Sequence, residues 1–153
     1  MVNLKISLRR KSVSVVLLVL GSILMAGCGE SLPETVEIHG KVTWEGKPLN
    51  NGTVIFESVG DGPDAPLRPA KGYLNSDGTY RLSTFRTNDG AMPGQYAVLI
   101  HAFTSAPSIE AMGPPPKSAI PASYGRSDTS GLSAIVPADG TTELEINFDL
   151  PIP

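Results

Sequence analysis

The chain has 153 residues, a single cysteine and a formal net charge of −3. This length accommodates one domain, and one cysteine excludes an intrachain disulfide. Four of the 12 basic residues lie in the first 12 positions, so eight remain against 15 acidic ones, a net charge of −7 for the rest of the chain. An acidic domain without basic clusters binds phosphate backbones poorly, which argues against nucleic acid as a partner.

The N-terminus has the three parts of an export signal. Residues 1–12 are basic, an apolar run of 13 residues extends from Val13 to Met25, and two small residues precede Cys28. The run is shorter than the roughly 20 residues that a transmembrane helix needs. The pattern therefore predicts a helical signal peptide over residues 1–27 that is removed on export.

Residues 24–28, LMAGC, resemble the lipobox of bacterial lipoproteins, with Met25 in place of the more common leucine. The resemblance implies that Cys28 becomes the N-terminus and carries a diacylglyceryl thioether and an N-acyl chain such as palmitate. Two or three acyl chains anchor a protein firmly, because each buried CH₂ contributes about 0.8 kcal/mol. The alternative is an ordinary signal or an uncleaved anchor with an incidental cysteine. Gly29, rather than Asp, follows, which in the lipoprotein sorting rule favours the outer membrane.

Residues 28–34 comprise the lipidated cysteine and a short polar tether, and strand-like alternation follows over residues 35–150. Apolar and polar side chains alternate strictly from Thr35 to Trp44 and again from Thr142 to Leu150, as in strands with one buried face. Five more strand-like segments lie between them, at 52–59, 68–74, 79–85, 95–103 and 131–137. About seven short strands separated by turn residues predict an all-β fold, an antiparallel Greek-key β-sandwich.

Several strings resemble the carboxypeptidase regulatory-like (transthyretin-like, or prealbumin-like) domains. They are IHGKV at 38–42, GKPL at 46–49, NSDGTY at 75–80 and GAMPGQYAV at 90–98. The resemblance spans most of residues 36–150 and consists mainly of turn and packing features, which indicate fold rather than function. In that family the domain is usually a non-catalytic accessory or interaction module, and this is what the resemblance implies here.

Residues 104–130 form a proline-rich loop with five of the chain's 14 prolines. A loop of this length in a compact domain is usually functional or mobile. Its apolar side chains, together with one tryptophan from the first strand, make a candidate binding surface: Trp44, Ile109, Met112, Ile120 and Tyr124. For Trp44 the alternative is a place in the core or at its rim, because its position in the alternation matches Val42.

The transthyretin-like group includes an enzyme, hydroxyisourate hydrolase, which uses histidines, an arginine and a C-terminal tyr-arg-gly-ser. This chain has two histidines, His39 and His101, and its closest string is YGRS at 124–127, in another order and before the C-terminus. The hydrolase is therefore a remote alternative. The two histidines have no cysteine partner, and the loop aspartates lack calcium-loop spacing, so no catalytic residue, metal or cofactor is predicted.

These features together predict a non-enzymatic, lipid-anchored interaction or structural module of the cell envelope, with an envelope protein or a glycan as its partner. The main alternative is a carbohydrate- or peptide-binding module that uses Trp44 or the long loop. A concave surface with exposed aromatic side chains would favour that alternative. Histidine and arginine side chains converging in one pocket would favour the enzyme.

Overall fold

The alternating segments form nine β-strands in the computed structural model, which describes residues 32–60, 65–66, 68–106 and 116–151. The strands are β1 (Glu37–Trp44), β2 (Lys47–Pro48), β3 (Gly52–Ser58), β4 (Ala70–Tyr73), β5 (Thr79–Arg81), β6 (Gly94–Ala102), β7 (Ser133–Val136), β8 (Glu143–Glu145) and β9 (Phe148–Leu150). A short 3₁₀ helix covers Ala122–Gly125. The predicted signal peptide, Cys28, Ile109 and Met112 lie outside the described residues. Among the residues described, no helix is long and apolar enough to span a membrane.

The strands form two sheets, which confirms the predicted all-β fold. In the first sheet, β1 pairs with β5 and β2 in antiparallel fashion. The second sheet has the order β4-β3-β6-β7 and is antiparallel in every described pairing. The described residues from Pro33 onward belong to one compact unit.

The prediction of a wholly antiparallel sandwich is wrong at the C-terminus, because β8 and β9 both run parallel to β1. The chain reaches them from β7, which belongs to the other sheet, and not through a hairpin from β1. A hairpin forces antiparallel pairing, whereas a crossover connection permits parallel pairing. Alternation alone indicates which face of a strand is buried and not the direction of its partner.

The core lies between the inner faces of the two sheets. Its largest fully buried side chains come from both of them: Ile38, Val42, Tyr80, Leu82 and Leu150 from the β1 side, and Val54, Phe56, Tyr96, Val98 and Ile100 from the other. Phe148 of β9 packs edge to face on Phe56 of β3 with ring centroids 6.2 Å apart, a geometry that adds about 0.5–1.5 kcal/mol beyond burial. The core residues in the described part all fall between Val36 and Leu150, so this unit has a core of its own.

The parallel seam between β1 and the C-terminal strands has its closest approach at Gly40. Between β8 and β9 the backbone of Ile146 crosses over Gly40, and a Cβ there would overlap the Ile146 carbonyl oxygen. The Ile146 amide donates to the His39 carbonyl at 2.9 Å, and its carbonyl accepts a hydrogen bond from the Tyr80 hydroxyl at 2.7 Å. Glycine at position 40 is therefore required for close pairing.

Replacing Gly40 by alanine is expected to lower the free energy of unfolding by about 2–4 kcal/mol, because Ile146 must move away and the Tyr80 hydrogen bond is lost. Gly131→Ala is the matched control, since Gly131 has a φ of +65° and no atom within 4 Å of an added Cβ. Gly131→Ala should lower the free energy of unfolding by about 1 kcal/mol, because alanine disfavours the left-handed backbone conformation. Urea unfolding measures both, and equal losses would contradict the steric argument.

Two tyrosines in the core keep their hydroxyl protons to unusually high pH. Tyr80 and Tyr96 are each 1% exposed, and each hydroxyl donates to a backbone carbonyl at 2.7 Å, that of Ile146 and Met92 respectively. Burial disfavours the ionised phenolate, which raises the pKa of Tyr96 to about 12 and also raises the pKa of Tyr80. Both hydroxyls are therefore neutral donors in the folded protein under ordinary conditions.

The free energy of unfolding is expected to fall as pH rises from about 10 to about 12. In the unfolded chain tyrosine ionises near pH 10, whereas the folded chain keeps these protons to higher pH. The folded state then binds more protons than the unfolded state, so stability decreases with pH. Urea unfolding across this window should show a negative slope that becomes shallower in Tyr96→Phe. An unchanged slope in that variant would contradict the assignment.

Candidate functional site

The predicted binding surface is only partly assembled in the described structure. Trp44 is half-buried at the end of β1 and packs edge to face against Tyr124, with ring centroids 6.1 Å apart. Ile120 is 6% exposed and belongs to the core, so it is not available as binding surface. Trp44 thus lies at the rim of the sandwich, the alternative considered from its alternation.

The described part of the 104–130 loop packs along the end of β6. A bridge joins Phe103 to Ser118, and the Ala119 amide donates to the Ala102 carbonyl at 2.8 Å, which directs Ile120 into the core. The proline content and the weak alternation of this segment predict an irregular backbone. They do not predict that the segment packs against β6. Residues 116–130 thus close off the part of the β6 edge that β7 leaves unpaired.

The two histidines are on different sheets. His39 lies on the outer face of β1, where its Nδ1 is 3.3 Å from Oε1 of Glu143 without hydrogen-bond alignment. His101 lies on β6, and a Cβ on Gly125 would be 2.6 Å from its ring. His39 is directly opposite Arg81 of β5, so one histidine and one arginine do come together.

Two open grooves flank Arg81. The first, which we call the His39 groove, has a volume of about 400 Å³. Its polar lining residues are His39, Lys41, Asn75, Thr79, Arg81, Glu145 and Asn147. The second, the Tyr73 groove, has a volume of about 500 Å³ and is lined by Lys71, Tyr73, Asn75, Arg81, Ser83, Thr87 and Asn88. Asn75 and Arg81 belong to both grooves.

The Tyr73 groove lies where the β4–β5 hairpin passes from one sheet to the other. Lys71 and Ser83 exchange two backbone hydrogen bonds, both of 2.9 Å, which join the edges of the two sheets. Gly72 allows this approach, because a Cβ there would lie 2.6 Å from the Arg81 carbonyl oxygen. The seam places the outward side chains of β4 beside those of β5.

The turn of this hairpin contains an Asp-Gly pair. Gly78 has a φ of +81°, and Asp77 accepts hydrogen bonds from the Thr79 hydroxyl at 2.7 Å and the Thr79 amide at 3.0 Å. These bonds lower the pKa of Asp77, so its carboxylate stays ionised. Asn75 donates to the Thr79 hydroxyl at 2.9 Å, which orients its amide beside the groove.

A single carboxylate fixes the opposite wall of the Tyr73 groove. Asp89 accepts hydrogen bonds from the backbone amides of Thr84, Phe85 and Arg86 at 2.7, 3.0 and 2.7 Å. The loop it closes carries Thr87 and Asn88, and Asn88 has a φ of +60°. From the sequence, Asn88-Asp89-Gly90 is recognisable as a turn, but the three-amide cap is not.

The charge of the Tyr73 groove is opposite to that of the domain. Lys71 Nζ lies 5.3 Å from the ring centroid of Tyr73, which is 70% exposed. Arg81 Nη1 is 3.9 Å from Oε2 of Glu37, and because both side chains are more than half exposed this pair is weak. Among the described lining residues the groove contains two cations and no acid. It is a local positive site on an otherwise acidic domain.

No metal site accompanies either groove: the described residues contain no cluster of three or more histidine, cysteine, aspartate or glutamate side chains. The polar side chains around Arg81 can instead donate and accept hydrogen bonds. No motif in the sequence marks Lys71, Tyr73 or Arg81 as site residues. The alternation along β4 is the signal that could have identified two of them. Because Ala70 and Gly72 are buried, Lys71 and Tyr73 lie on the solvent-exposed face of the strand.

Comparison with protein-family models gives no match for this chain, and comparisons with curated proteins and with solved structures give none either.

Replacing Asp89 by alanine is expected to lower the free energy of unfolding by about 2–3 kcal/mol, because three backbone amides lose a charged acceptor. Asp139→Ala is the matched control, since the exposed Asp139 caps a turn through Thr141 alone. That control should cost less than about 1 kcal/mol. Chemical denaturation measures both losses. If the two variants are equally stable, the three-amide cap does not support the loop.

Proposed function

We propose that this protein is a lipid-anchored, non-enzymatic interaction or structural module of the bacterial cell envelope. The observation that carries the proposal is the lipobox-like string LMAGC, which ends at the chain's single cysteine just before the β-sandwich unit. Cys28 carries the acyl chains, and residues 1–27 are the signal peptide. Gly29 favours the outer membrane as the place of anchoring.

The distance from the anchor to the domain supports a tether. Val36 is the first residue held in the fold, since it exchanges backbone hydrogen bonds with Ala91 and is 3% exposed. Residues 29–35 therefore separate the lipid from the domain. A fully extended chain of that length reaches at most about 25 Å. The domain is thus held close to the membrane surface and cannot diffuse far from it.

We also propose a more specific fold for the β-sandwich unit. It is transthyretin-like with Greek-key connections, as in carboxypeptidase regulatory-like domains. Two features support it. The Asp77-Gly78 turn is followed by the buried Tyr80, and the strand entered through Pro93-Gly94 contains the buried Tyr96. These are the turn and strand-entry strings on which the resemblance rests. In that family the domain usually serves as an accessory module.

The arrangement of histidines meets the criterion for the hydrolase alternative only in part, which supports a non-catalytic role. His39 and Arg81 share the His39 groove, but His101 lies on the other sheet and is packed against Gly125. General acid–base catalysis needs a base within hydrogen-bond reach of a partner and of the reacting atom. His39 has two acidic neighbours among the described residues. Glu143 lies 3.3 Å from its Nδ1 without hydrogen-bond alignment, and Glu145 lies opposite it on β8 and lines the same groove.

A carbohydrate- or peptide-binding role is the second candidate, and one observation favours it. The Tyr73 groove is a concave polar surface with an exposed aromatic side chain, the feature expected to distinguish a ligand-binding module from a purely structural one. Trp44, the aromatic residue first considered for this role, is instead partly covered by Tyr124.

Cys28→Ala is expected to abolish incorporation of labelled palmitate and to release the protein from the membrane fraction. Ser31→Ala, a change of similar size in the tether, is the matched control and should remain labelled and membrane-bound. Cell fractionation with metabolic labelling measures both. A Cys28→Ala protein that stays in the membrane at the mature size would contradict the lipid-anchor proposal.

In-cell crosslinking of the same two variants tests the interaction role. Specific envelope partners found with Ser31→Ala and lost with Cys28→Ala would support a tethered interaction module. The crosslinked residues would then locate its working surface. Identical partners in both variants would show that anchoring does not direct the interaction.

A further inference from the structure

We infer that the Tyr73 groove binds a carboxylated saccharide, such as a uronate-containing glycan. The inference rests on the proposed function in one respect, since it identifies the ligand class of the tethered domain. It concerns the groove between the β4–β5 seam and the Asp89-capped loop, about 500 Å³ in volume.

The cations of the groove select an anion. Lys71 comes from β4 and Arg81 from β5, and the bridge between Lys71 and Ser83 brings their strands together. Among the described residues, Arg81 makes one loose ion-pair contact, with Glu37 at 3.9 Å, so most of its five N–H donors remain for a ligand. Arginine pairs readily with a carboxylate through two parallel hydrogen bonds.

The neutral side chains of the groove match sugar hydroxyls. Asn75, Ser83, Thr87 and Asn88 line it, and each carries a group that can donate and accept hydrogen bonds. Asn75 donates to Thr79, and the Ser83 hydroxyl accepts from the Asn88 backbone amide, which leaves further donors and acceptors on all four side chains. A simple inorganic anion would use the two cations and leave these remaining donors and acceptors facing water. A polyhydroxylated ligand uses both sets together.

Tyr73 supplies an apolar surface for the sugar ring. It is 70% exposed, although a large aromatic side chain on a folded domain usually buries most of its surface. One face of a pyranose ring consists of C–H groups and packs favourably on an aromatic ring. Lys71 Nζ lies 5.3 Å from the Tyr73 centroid, so ring and cation can contact the same ligand.

The groove is formed before any ligand arrives. One wall belongs to the hairpin held by the Lys71–Ser83 bridge, and the other belongs to the loop held by Asp89 through three backbone amides. A preformed site loses less conformational entropy on binding. This matters for a saccharide, because each of its contacts is weak on its own.

The charge count argues against an anionic membrane as the occupant. Recognition of anionic lipid surfaces uses clusters of about 4–8 basic residues, whereas the groove has two and the exported chain has a net charge of −7. Such a chain is repelled from an extended anionic surface. It can still accept one or two carboxylates in a local positive site.

The test titrates lipid-free mature protein, made with Cys28→Ser, with trigalacturonate and trimannuronate by isothermal calorimetry. The unit has its own core between Val36 and Leu150 and does not need the anchor to fold. We expect binding of at least one uronate trimer at millimolar concentrations or below. Its fully methyl-esterified form should bind about tenfold more weakly or worse, because the carboxylate contacts are lost.

Variants then locate the site. Lys71→Gln with Arg81→Gln should weaken binding about tenfold or more, and Tyr73→Ala should also weaken it. Lys47→Gln with Lys117→Gln removes the same charge from exposed positions outside the groove and should leave binding unchanged. Circular dichroism checks that each variant is folded, and the ester comparison needs no variant.

Four results would overturn the inference: no binding of either uronate trimer, equal binding of the ester, equal loss in the Lys47 and Lys117 control, or displacement of the sugar by phosphatidylglycerol vesicles. None of these depends on the lipid anchor, because the protein tested lacks it. Failure here would therefore leave the anchoring result from Cys28→Ala intact. Failure of anchoring would likewise leave the groove's binding data valid.

Discussion

The contact between Gly40 and the backbone of Ile146 sets how closely the last strand can approach the first. Because residue 40 has no side chain, the Ile146 carbonyl lies over β1 and accepts a hydrogen bond from the buried Tyr80 hydroxyl. The same approach keeps β8 and β9 in a common register with β1, so that Phe148 reaches the core and packs on Phe56. The C-terminal strands thereby cover the edge of β1 and connect the first sheet to the second. Further along the seam, side chains add bonds of their own, with Lys41 donating its amide to Asn147 at 2.7 Å.

The second constraint is the seam on the opposite side of β1, where the β4–β5 hairpin changes sheets. Gly72 allows the Arg81 carbonyl to approach, and the Lys71–Ser83 bridge closes the edge. An exposed sheet edge invites pairing with other chains, so this closure protects β4. It also forms the Tyr73 groove. Lys71 and Arg81 are ten residues apart in the sequence, and they come together only because the edges of the two sheets meet. The closure of the sheet edge and the shape of the Tyr73 groove therefore depend on the same backbone contact.

Most of the fold can be predicted from the sequence, because each strand has one buried and one solvent-exposed face and its residues therefore alternate between apolar and polar. Strict alternation from Thr35 to Trp44 identifies β1 and its buried side chains, and the Asp77-Gly78 pair locates the hairpin turn. Partner direction was not predictable, since a parallel and an antiparallel β9 bury the same residues. The packing of Ile120 was missed for a related reason: local composition describes an irregular segment but not what it contacts. The Tyr73 groove combines side chains from two strands and a capped loop, and no short motif in the sequence records that combination.

If the chain is lipid-anchored as proposed, its net charge and its local charge have separate consequences, because the tether would hold the domain within about 25 Å of a bilayer. Residues 28–153 carry a net charge of −7, so on the proposed anchor they would be repelled by an anionic membrane surface and stand away from it. Salt screens that repulsion beyond about 8–10 Å, a distance shorter than the reach of the tether. On the proposed anchor the domain would therefore stay out of the headgroup region without any specific contact. In that position Lys71 and Arg81 would not be occupied by lipid phosphates, and the groove would remain open to other ligands. A basic domain on the same tether would bind the bilayer and lose such a site, so the acidic surface itself favours recognition of a ligand other than the membrane.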